Sequence, residues 1–535
     1  MITKIEIENF KGFRERVELD IAPITLLFGA NSAGKSSVLH ALHLAREMFE
    51  SHSYDIDRPG LGAGYVDLGG FQSFVHKHDT KNEVVVAVTC SIGYGDGMSD
   101  GRHDAELYLG DNAVVIEPSE VKLTVHVQWS EVLNRPFCNR FVIDWDSETL
   151  AIISGTPGRM SQELLINRKH SSLITNSETS VYRDIEVSEP TSMEEEETVL
   201  FVLLQECMQF SAQKVESDWI GIEVSLGSDA LPQENWKLDI VGIERDDQTR
   251  KFVFGLISTL IYGPFDLVQR QLRWLRFLGP LRETPQRNFT PLIQSPPERW
   301  ATGLAAWDLI YSMDAKAVGE LSEWLGDSDK MSTGYRLRRD QIVEIPMSHP
   351  LMQGMIDGRA FTDEDGPRLQ LDEFDVSTRV VLTTVDDGSP LRLKPHDVGV
   401  GISQLIPVLV AALDGSASMT IVEQPELHLH PKAQVALGDL FIHAINRDDN
   451  ESNFLIETHS EHLVLRLLRR IRETNDGSLP QGINPITPED LSVNYVESKD
   501  GVSVICKIPV DRDGEFAGRW PHGFFEERAE ELFGP

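Results

Sequence analysis

The sequence predicts an α/β fold in which one domain is split by a long insertion of mixed strands and helices. A buried strand at 23–28 runs into a glycine-containing turn and then into a segment, 36–49, with apolar residues at helical spacing. Short apolar strands alternate with helices again from residue 398 onward, whereas strands with polar turns predominate over 81–154. Because α/β character at both ends encloses a different pattern, we expect one split domain.

The composition is that of a globular, strongly acidic protein. Of the 535 residues, 41% are apolar and 25% are charged, and 49 basic residues stand against 85 acidic ones, which gives a net charge of −36. Such a chain does not attract nucleic acid by its overall charge. Any DNA contact would therefore have to come from local basic clusters.

Three groups of arginines are the candidates for such a contact. Since acidic residues are in large excess, we favour ion pairing for these arginines; the alternative is a basic groove that follows DNA phosphates. The groups consist of Arg270, Arg273 and Arg276, of Arg336, Arg338 and Arg339, and of Arg466, Arg469, Arg470 and Arg472.

Cysteine usage and hydropathy indicate a cytoplasmic protein. The four cysteines are far apart and form no Cys-x-x-Cys pair, which fits a reduced compartment better than a disulfide framework or a thiolate zinc site. The N-terminal segment alternates apolar and charged residues and lacks the apolar core of a signal peptide. No run of 18 apolar residues occurs, so we expect no membrane span and no membrane partner.

Residues 29–36 match the phosphate-binding pattern GxxxxGK[ST] completely, and they follow a buried strand and open a helix, as that pattern requires. Glycines let backbone N–H groups turn toward phosphate oxygens, and the helix start adds partial positive charge. Lys35 would reach the β- and γ-phosphates, and the Ser36 hydroxyl would ligate Mg²⁺. The predicted nucleoside triphosphate site comprises Gly29, Ala30, Asn31, Ser32, Ala33, Gly34, Lys35, Ser36 and Ser37.

Three further segments fit the same kind of site. Glu423 ends a short apolar strand, where an acid holds Mg²⁺ through its water shell. His459 follows the apolar strand 453–456, which places it well to sense a γ-phosphate. Small residues at 398–403 precede a helix, whose first backbone amides and the Ser403 hydroxyl could cap a phosphate. Each signal is weak alone, and their order behind a P-loop strengthens all three.

These motifs resemble the ABC-type ATPase heads of the RecF, SMC and overcoming-lysogenization-defect (OLD) group. Within that group, the strings GANSAGKSS, VGVGISQ, EQPELHLHP and ETHSEHL are similar to prokaryotic "AAA family ATPase" proteins, which are often found in anti-phage defence loci. Residues 278–282 and 520–525 resemble one subfamily with an uncharacterised C-terminal domain. The resemblance covers 1–75 and 390–535, and between them only the region around 278–288.

Together with the pattern along the chain, the resemblance implies an ABC-type P-loop ATPase head that is split by a mixed α+β insertion. Residues 1–90 and 390–480 are then the nucleotide-binding core, 91–389 the insertion, and 481–535 a small C-terminal extension. ATP and Mg²⁺ are the implied cofactors. The choice of ATP over GTP comes from the resemblance, because no base-reading motif is visible.

The resemblance also implies that two heads face each other, as a homodimer or within a higher oligomer. ATP then lies between the P-loop of one subunit, with Lys35 and Ser36, and the signature turn of the other, where Ser403 contacts the γ-phosphate. Glu423 is the Walker B acid and also a magnesium residue through water, and His459 is the switch histidine.

Two more residues allow two interpretations each. Gln72 is a candidate for the Q-loop glutamine that links the metal to the adjoining lobe, or it is an ordinary polar loop residue. Arg282 is either an electropositive contact near the nucleotide or, as we favour, part of a structural ion pair.

Gln424 is a departure from the ABC pattern, which places a glutamate after the Walker B acid as the base for the attacking water. Glutamine can orient water but accepts no proton. Either Glu426 takes over as a catalytic residue, or hydrolysis is slow and the ATP-bound dimer persists. We favour slow hydrolysis.

Two functions fit these features. We favour an ATP-binding, slowly hydrolysing subunit whose head dimerisation is a switch or scaffold for a separate effector, such as a nuclease or toxin encoded nearby, in anti-phage defence. The alternative is a DNA-repair or chromosome-associated RecF-like ATPase that clamps DNA. The net charge of −36 and the lack of a long coiled coil count against the alternative. A built-in nuclease would need metal-binding carboxylates that the sequence does not show.

If Gln424 limits turnover, Gln424→Glu should raise the steady-state rate of ATP hydrolysis, because it restores a group that accepts the proton of the attacking water. The measurement is phosphate release by the purified wild type and variant. A rate that is unchanged or lower would show that Gln424 is not the limiting feature.

Overall fold

The computed structural model describes most of the chain. The described residues are 1–62, 64–93, 116–159, 161–173, 198, 200–201, 204, 218–225, 229–232, 248–358, 374, 376–385, 388–448 and 452–518. The closing motif at 520–525 lies outside them.

The strands and helices alternate along the chain as follows. In chain order, the strands are β1 (Ile2–Glu8), β2 (Val17–Asp20), β3 (Ile24–Gly29), β4 (Val84–Ser91), β5 (Glu120–Ser130), β6 (Arg135–Trp145), β7 (Glu148–Ser154), β8 (Ser161–Asn167), β9 (Trp219–Ser225), β10 (Leu275–Leu278), β11 (Tyr335–Val343), β12 (Val376–Thr384), β13 (Arg392–Leu393), β14 (Met419–Glu423), β15 (Asn453–Glu457), β16 (Leu491–Lys499) and β17 (Val502–Ile508). The helices are α1 (Lys35–Ser51), α2 (Phe71–Phe74), α3 (Gln248–Arg273), α4 (Leu304–Ser312), α5 (Ala315–Gly326), α6 (Pro350–Ile356), α7 (Val400–Leu413), α8 (Pro431–Ile445) and α9 (Glu461–Asn475).

A six-stranded sheet in the order β10-β14-β15-β3-β16-β17 carries the P-loop. Its first five strands are parallel, and β17 pairs antiparallel with β16 at one edge. Every residue of β3, β14 and β15 is buried. This explains their continuous apolar runs, since parallel strands are usually covered on both faces. Alternate residues of β3 enter two different cores: Leu27 faces α1 and α3, and Leu26 faces α7, α8 and α9.

An eight-stranded antiparallel sheet, β2-β1-β4-β5-β6-β7-β8-β9, forms a second layer. Its inner face shares one hydrophobic core with α1 and α3, so these two helices pack between the two sheets. A three-stranded sheet, β11-β12-β13, packs against α5. No helix among the described residues is long and apolar enough to cross a membrane.

The sheets cut across the predicted domain boundaries. Strand β10, in the predicted insertion 91–389, and strands β16 and β17, in the predicted extension 481–535, belong to the P-loop sheet. Conversely, β1, β2 and β4 of the segment 1–90 pair within the antiparallel sheet of the insertion. The physical reason is that strand pairing joins segments hundreds of residues apart, which a local composition change does not reveal.

The arginines of the C-terminal cluster are engaged in ion pairs. Arg470 donates to both carboxylate oxygens of Asp439 at 2.7 and 3.0 Å, and Arg466 lies 3.2 Å from the same carboxylate. Arg469 pairs with Glu473 at 2.6 Å. These contacts join α9 to α8 and favour the ion-pairing interpretation over a phosphate groove.

The other two clusters are paired in the same manner. In the first, the carboxylate partners are Asp266 for Arg270, Glu50 for Arg273 and Asp414 for Arg276. In the second, they are Asp327 for Arg336 and Asp340 for Arg338, while Arg339 donates to backbone carbonyls of Ile310, Tyr311 and Met313. Local neutralisation therefore uses up much of the positive charge that a DNA groove would need.

We expect Asp439→Asn to lower the free energy of unfolding by about 3 kcal/mol, because it leaves the buried guanidinium of Arg470 without its anion. The measurement is urea denaturation followed by circular dichroism. The matched control is Glu323→Gln, which removes an exposed pair with Lys330 (3.3 Å) and should cost less than about 1 kcal/mol. Equal losses in both variants would show that the buried pair is no more important than a surface one.

Candidate nucleotide-binding site

Three parallel strands bring the predicted site residues to one edge of the P-loop sheet. Strand β15 lies between β14 and β3, and its last residue, Glu457, is in register with Glu423 on one side and with Leu27 on the other. The P-loop begins at Gly29, two residues beyond Leu27. The carboxyl ends of β14, β15 and β3 therefore place two acids beside the phosphate-binding loop.

Two glycines give the P-loop its path. Gly29 has a φ of 142°, and a Cβ atom there would lie 2.1 Å from the Val496 carbonyl oxygen of β16. Gly34, which caps the start of α1, has a φ of 113°. Ser503 of β17 braces the loop, because its hydroxyl donates to the Ala33 carbonyl at 2.7 Å. The exposed tip of the loop consists of Ala30, Asn31 and Ser32.

Lys35 and Ser36 contact a carboxylate that the sequence analysis did not assign. The Lys35 ammonium donates to the carbonyls of Gly29 and Ala30, each at 3.0 Å, and lies 3.9 Å from Glu457. The Ser36 hydroxyl donates to the second oxygen of Glu457 at 3.0 Å. Glu457 thus joins both P-loop ligands, and the same signal that identified Glu423, an acid ending a buried strand, was available for it.

The two acids are in an apolar environment that favours their neutral forms. Burial, together with repulsion from Glu457, raises the pKa of Glu423 to about 8, while Arg282 opposes this shift. Burial also raises the pKa of Glu457, against the influence of Lys35 and the Ser36 hydroxyl. Two carboxylates in adjacent strands at the same depth are costly, which is typical of functional sites.

Arg282 lies beneath this edge and is buried. It donates to the Glu423 carbonyl at 2.7 Å, and its backbone N–H donates to the Gln404 side-chain oxygen at 2.9 Å. The Gln404 amide donates back to the Arg282 carbonyl. Burial lowers the pKa of Arg282 to about 10, although Glu426 and Glu423 favour its charged form. Arg282 is therefore a structural cation that ties α7 to the end of β14, in line with the favoured interpretation.

Glu426 holds the segment that carries His459. Its two carboxylate oxygens accept from the Thr458 hydroxyl at 2.9 Å and from the His459 backbone N–H at 2.7 Å. Burial and the nearby Lys35 lower the pKa of His459. The Nε2 atom of His459 is buried and has no hydrogen-bond partner among the described residues, so the ring presents an unused polar atom.

Gln424 lies between these groups in an unusual conformation. Its φ is 44°, and its backbone N–H donates to the Glu457 carbonyl at 2.7 Å. The side chain is half-buried. Since Glu426 already accepts two hydrogen bonds, the use of either residue toward the attacking water stays a prediction.

Ser403 and Gln72 lie differently from the roles expected for them. Ser403 is fully buried in the first turn of α7, and its hydroxyl donates to the Pro395 carbonyl at 3.4 Å. The exposed residues at this helix start are Gly399 and Val400, so the surface offered to a partner is their backbone rather than the Ser403 hydroxyl. Gln72 is exposed in α2, beside the antiparallel sheet, and its Q-loop role stays a prediction.

The oxygen donors at this edge suit Mg²⁺. Magnesium keeps several waters and binds through one or two carboxylates together with substrate phosphates. Ser36, Glu457 and Glu423 supply such a partial set. Among the residues that the structure describes, no group of three or more His, Cys, Asp or Glu side chains could hold a metal ion alone, so phosphates and water would complete the shell.

Sequence-family models match three parts of the chain. Residues 1–132 match "AAA ATPase domain", residues 309–466 match "AAA domain, putative AbiEii toxin, Type IV TA system", and residues 486–533 match "Protein of unknown function (DUF3696)". The first two matches include the P-loop and Glu423 respectively. No curated protein matches the chain.

Solved structures with a similar chain path include heads of SMC proteins. An SMC head bound to the C-terminal winged-helix domain of ScpA is 11% identical, with a TM-score of 0.39 and coverage of 96% of this chain and 98% of that one. The SMC head domain from Thermotoga maritima is 7% identical, with a TM-score of 0.35 and coverage of 95% and 99%. The strand order, the P-loop and the two ATPase-domain matches give the fold: this chain has an ABC-type P-loop ATPase head that carries a mixed insertion.

Proposed function

We propose that the protein binds ATP and hydrolyses it slowly, and that nucleotide-dependent pairing of two heads acts as a switch or scaffold for a separate effector in anti-phage defence. The observation that carries this proposal is the arrangement of Lys35 and Ser36 against Glu457, with Glu423 in register on the neighbouring strand. The following steps extend it to hydrolysis, pairing and output.

Phosphate binding would use the exposed tip of the P-loop. Lys35 is held by two carbonyls and by Glu457, and it can exchange these contacts for the β- and γ-phosphate oxygens. Ser36 would ligate Mg²⁺ directly and Glu423 through water. When bound, magnesium neutralises the charge that develops on the phosphates.

Slow hydrolysis follows from the groups around the expected position of the attacking water. Gln424 accepts no proton, and Glu426 is held by Thr458 and the backbone of His459. His459 offers an unpartnered Nε2 atom that suits a phosphate oxygen. The site therefore favours a long-lived ATP-bound state.

Pairing of heads would use the surface at the start of α7. Val400 is 55% exposed there, and Leu281, next to Arg282, is 60% exposed. Arg282 and Gln404 connect this helix start to the Glu423 carbonyl. A second head that docks on α7 would therefore be linked to the magnesium side of the site through buried hydrogen bonds.

A separate effector fits the residues present. Among the described residues there is no carboxylate or histidine cluster for a nuclease metal, and the description matched by 309–466 names a toxin of a toxin–antitoxin system. Cys90, Cys138 and Cys506 are free, which suits work in the cytoplasm. The DNA-clamping alternative would need positive charge beyond the paired arginine clusters.

The decisive experiment measures ATP binding, hydrolysis and molar mass of the purified protein with Mg-ATP, with and without linear duplex DNA. We expect binding, turnover of well below about one per second, and a mass increase on binding. Lys35→Ala should lose binding and the mass increase, because it removes the cation for the phosphates.

The outcomes separate the two functions. Strong stimulation of hydrolysis by DNA would favour the DNA clamp over the effector switch. Absence of ATP binding in the wild type would contradict both. The melting curve of Lys35→Ala serves as the control that the variant is folded.

A further inference from the structure

Glu457 is the acid in the site with the most direct contacts to the P-loop. One of its oxygens accepts from the Ser36 hydroxyl at 3.0 Å, and the other lies 3.9 Å from the Lys35 ammonium. It is only 5% exposed, so these contacts are made away from bulk water. Glu423, the expected magnesium acid, is not the acceptor of the Ser36 proton.

The chemistry of a hydroxyl explains why this matters. A serine hydroxyl has one proton to donate and lone pairs with which to ligate a metal. When the proton points to Glu457, a lone pair of the Ser36 oxygen is directed to the other side, where the phosphates enter. A partner of this kind fixes the orientation of a metal ligand and increases its affinity.

The position of Glu457 is set by the backbone. Its neighbours in register are Glu423 on β14 and Leu27 on β3, and its carbonyl accepts the Gln424 N–H at 2.7 Å. The carboxylate therefore emerges at the P-loop from a strand that is hydrogen-bonded on both sides. Packing alone does not account for it, because an apolar residue at the end of a buried strand would avoid the cost of burying a charge next to Glu423.

We infer that Glu457 is a positioning residue for magnesium, which orients the Ser36 hydroxyl toward the ion and holds Lys35 until the phosphates replace it. This inference rests on the proposed function. It divides the work between two acids: Glu457 orients Ser36, and Glu423 contacts the water shell of the ion.

The test compares ATP affinity with Mg²⁺ and with EDTA, and the ratio of the two dissociation constants reports the magnesium coupling. In Glu457→Gln we expect this ratio to fall by about tenfold or more, since loss of such a supporting acid typically weakens metal binding to that extent. The affinity in EDTA should not fall, because Lys35 is no longer held by an anion. Electron paramagnetic resonance of Mn²⁺ with ATP should show the same loss of bound ion.

Two further variants make the result specific. Glu461→Gln, at the start of α9, removes a half-exposed carboxylate four residues away and should leave the ratio unchanged. In a Ser36→Ala background, Glu457→Gln should have no further effect on the ratio, because the two residues act through one hydrogen bond. Circular dichroism checks folding, and Glu457→Asp, with a shorter carboxylate, carries the test if the glutamine variant does not fold.

Each outcome decides the matter. An unchanged ratio in Glu457→Gln would overturn the inference, and so would an equal loss of affinity with Mg²⁺ and with EDTA, which indicates a structural role. If the wild type binds no ATP in either condition, the proposed function itself fails. If it binds ATP and only the Glu457 variant keeps its coupling, the function stands and the inference does not.

Discussion

The register of three parallel strands determines the site. Hydrogen bonding between β14, β15 and β3 brings Glu423, Glu457 and the P-loop to the same level at one edge of the sheet. Neither acid can move away without breaking a ladder that is buried on both faces. The cost of placing two carboxylates side by side is offset by Lys35 on the loop side and by Arg282 on the other.

These two cations have different freedom. Lys35 is held by carbonyls and one carboxylate, all of which a phosphate can replace. Arg282 donates to the Glu423 carbonyl and is bonded to Gln404 in both directions, so it is fixed in the core. One cation therefore serves the ligand, and the other keeps α7 attached to the strand end that carries Glu423.

Local patterns in the sequence were sufficient for the P-loop and for the strands that end at Glu423 and before His459, because spacing and apolar runs define them. The same pattern indicated Glu457, but the strand was interpreted through its histidine. Ser503 could not be found, since its contact with Ala33 joins residues 470 positions apart. The burial of Ser403 depends on where α7 begins, and a one-turn difference moves its hydroxyl from the surface to the interior.

The position of α1 connects the nucleotide site to the insertion. This helix starts at Lys35 and packs between the two sheets against α3, with the ring of Phe49 stacked on Phe265 at 5.3 Å and the Phe49 carbonyl accepting from Gln269 at 2.7 Å. Both contacts are buried, and interiors packed at this density transmit small displacements rather than absorb them. A shift of the P-loop helix on phosphate binding would therefore reach α3 and the antiparallel sheet behind it. The insertion is accordingly the part of the molecule best placed to report the nucleotide state to an effector.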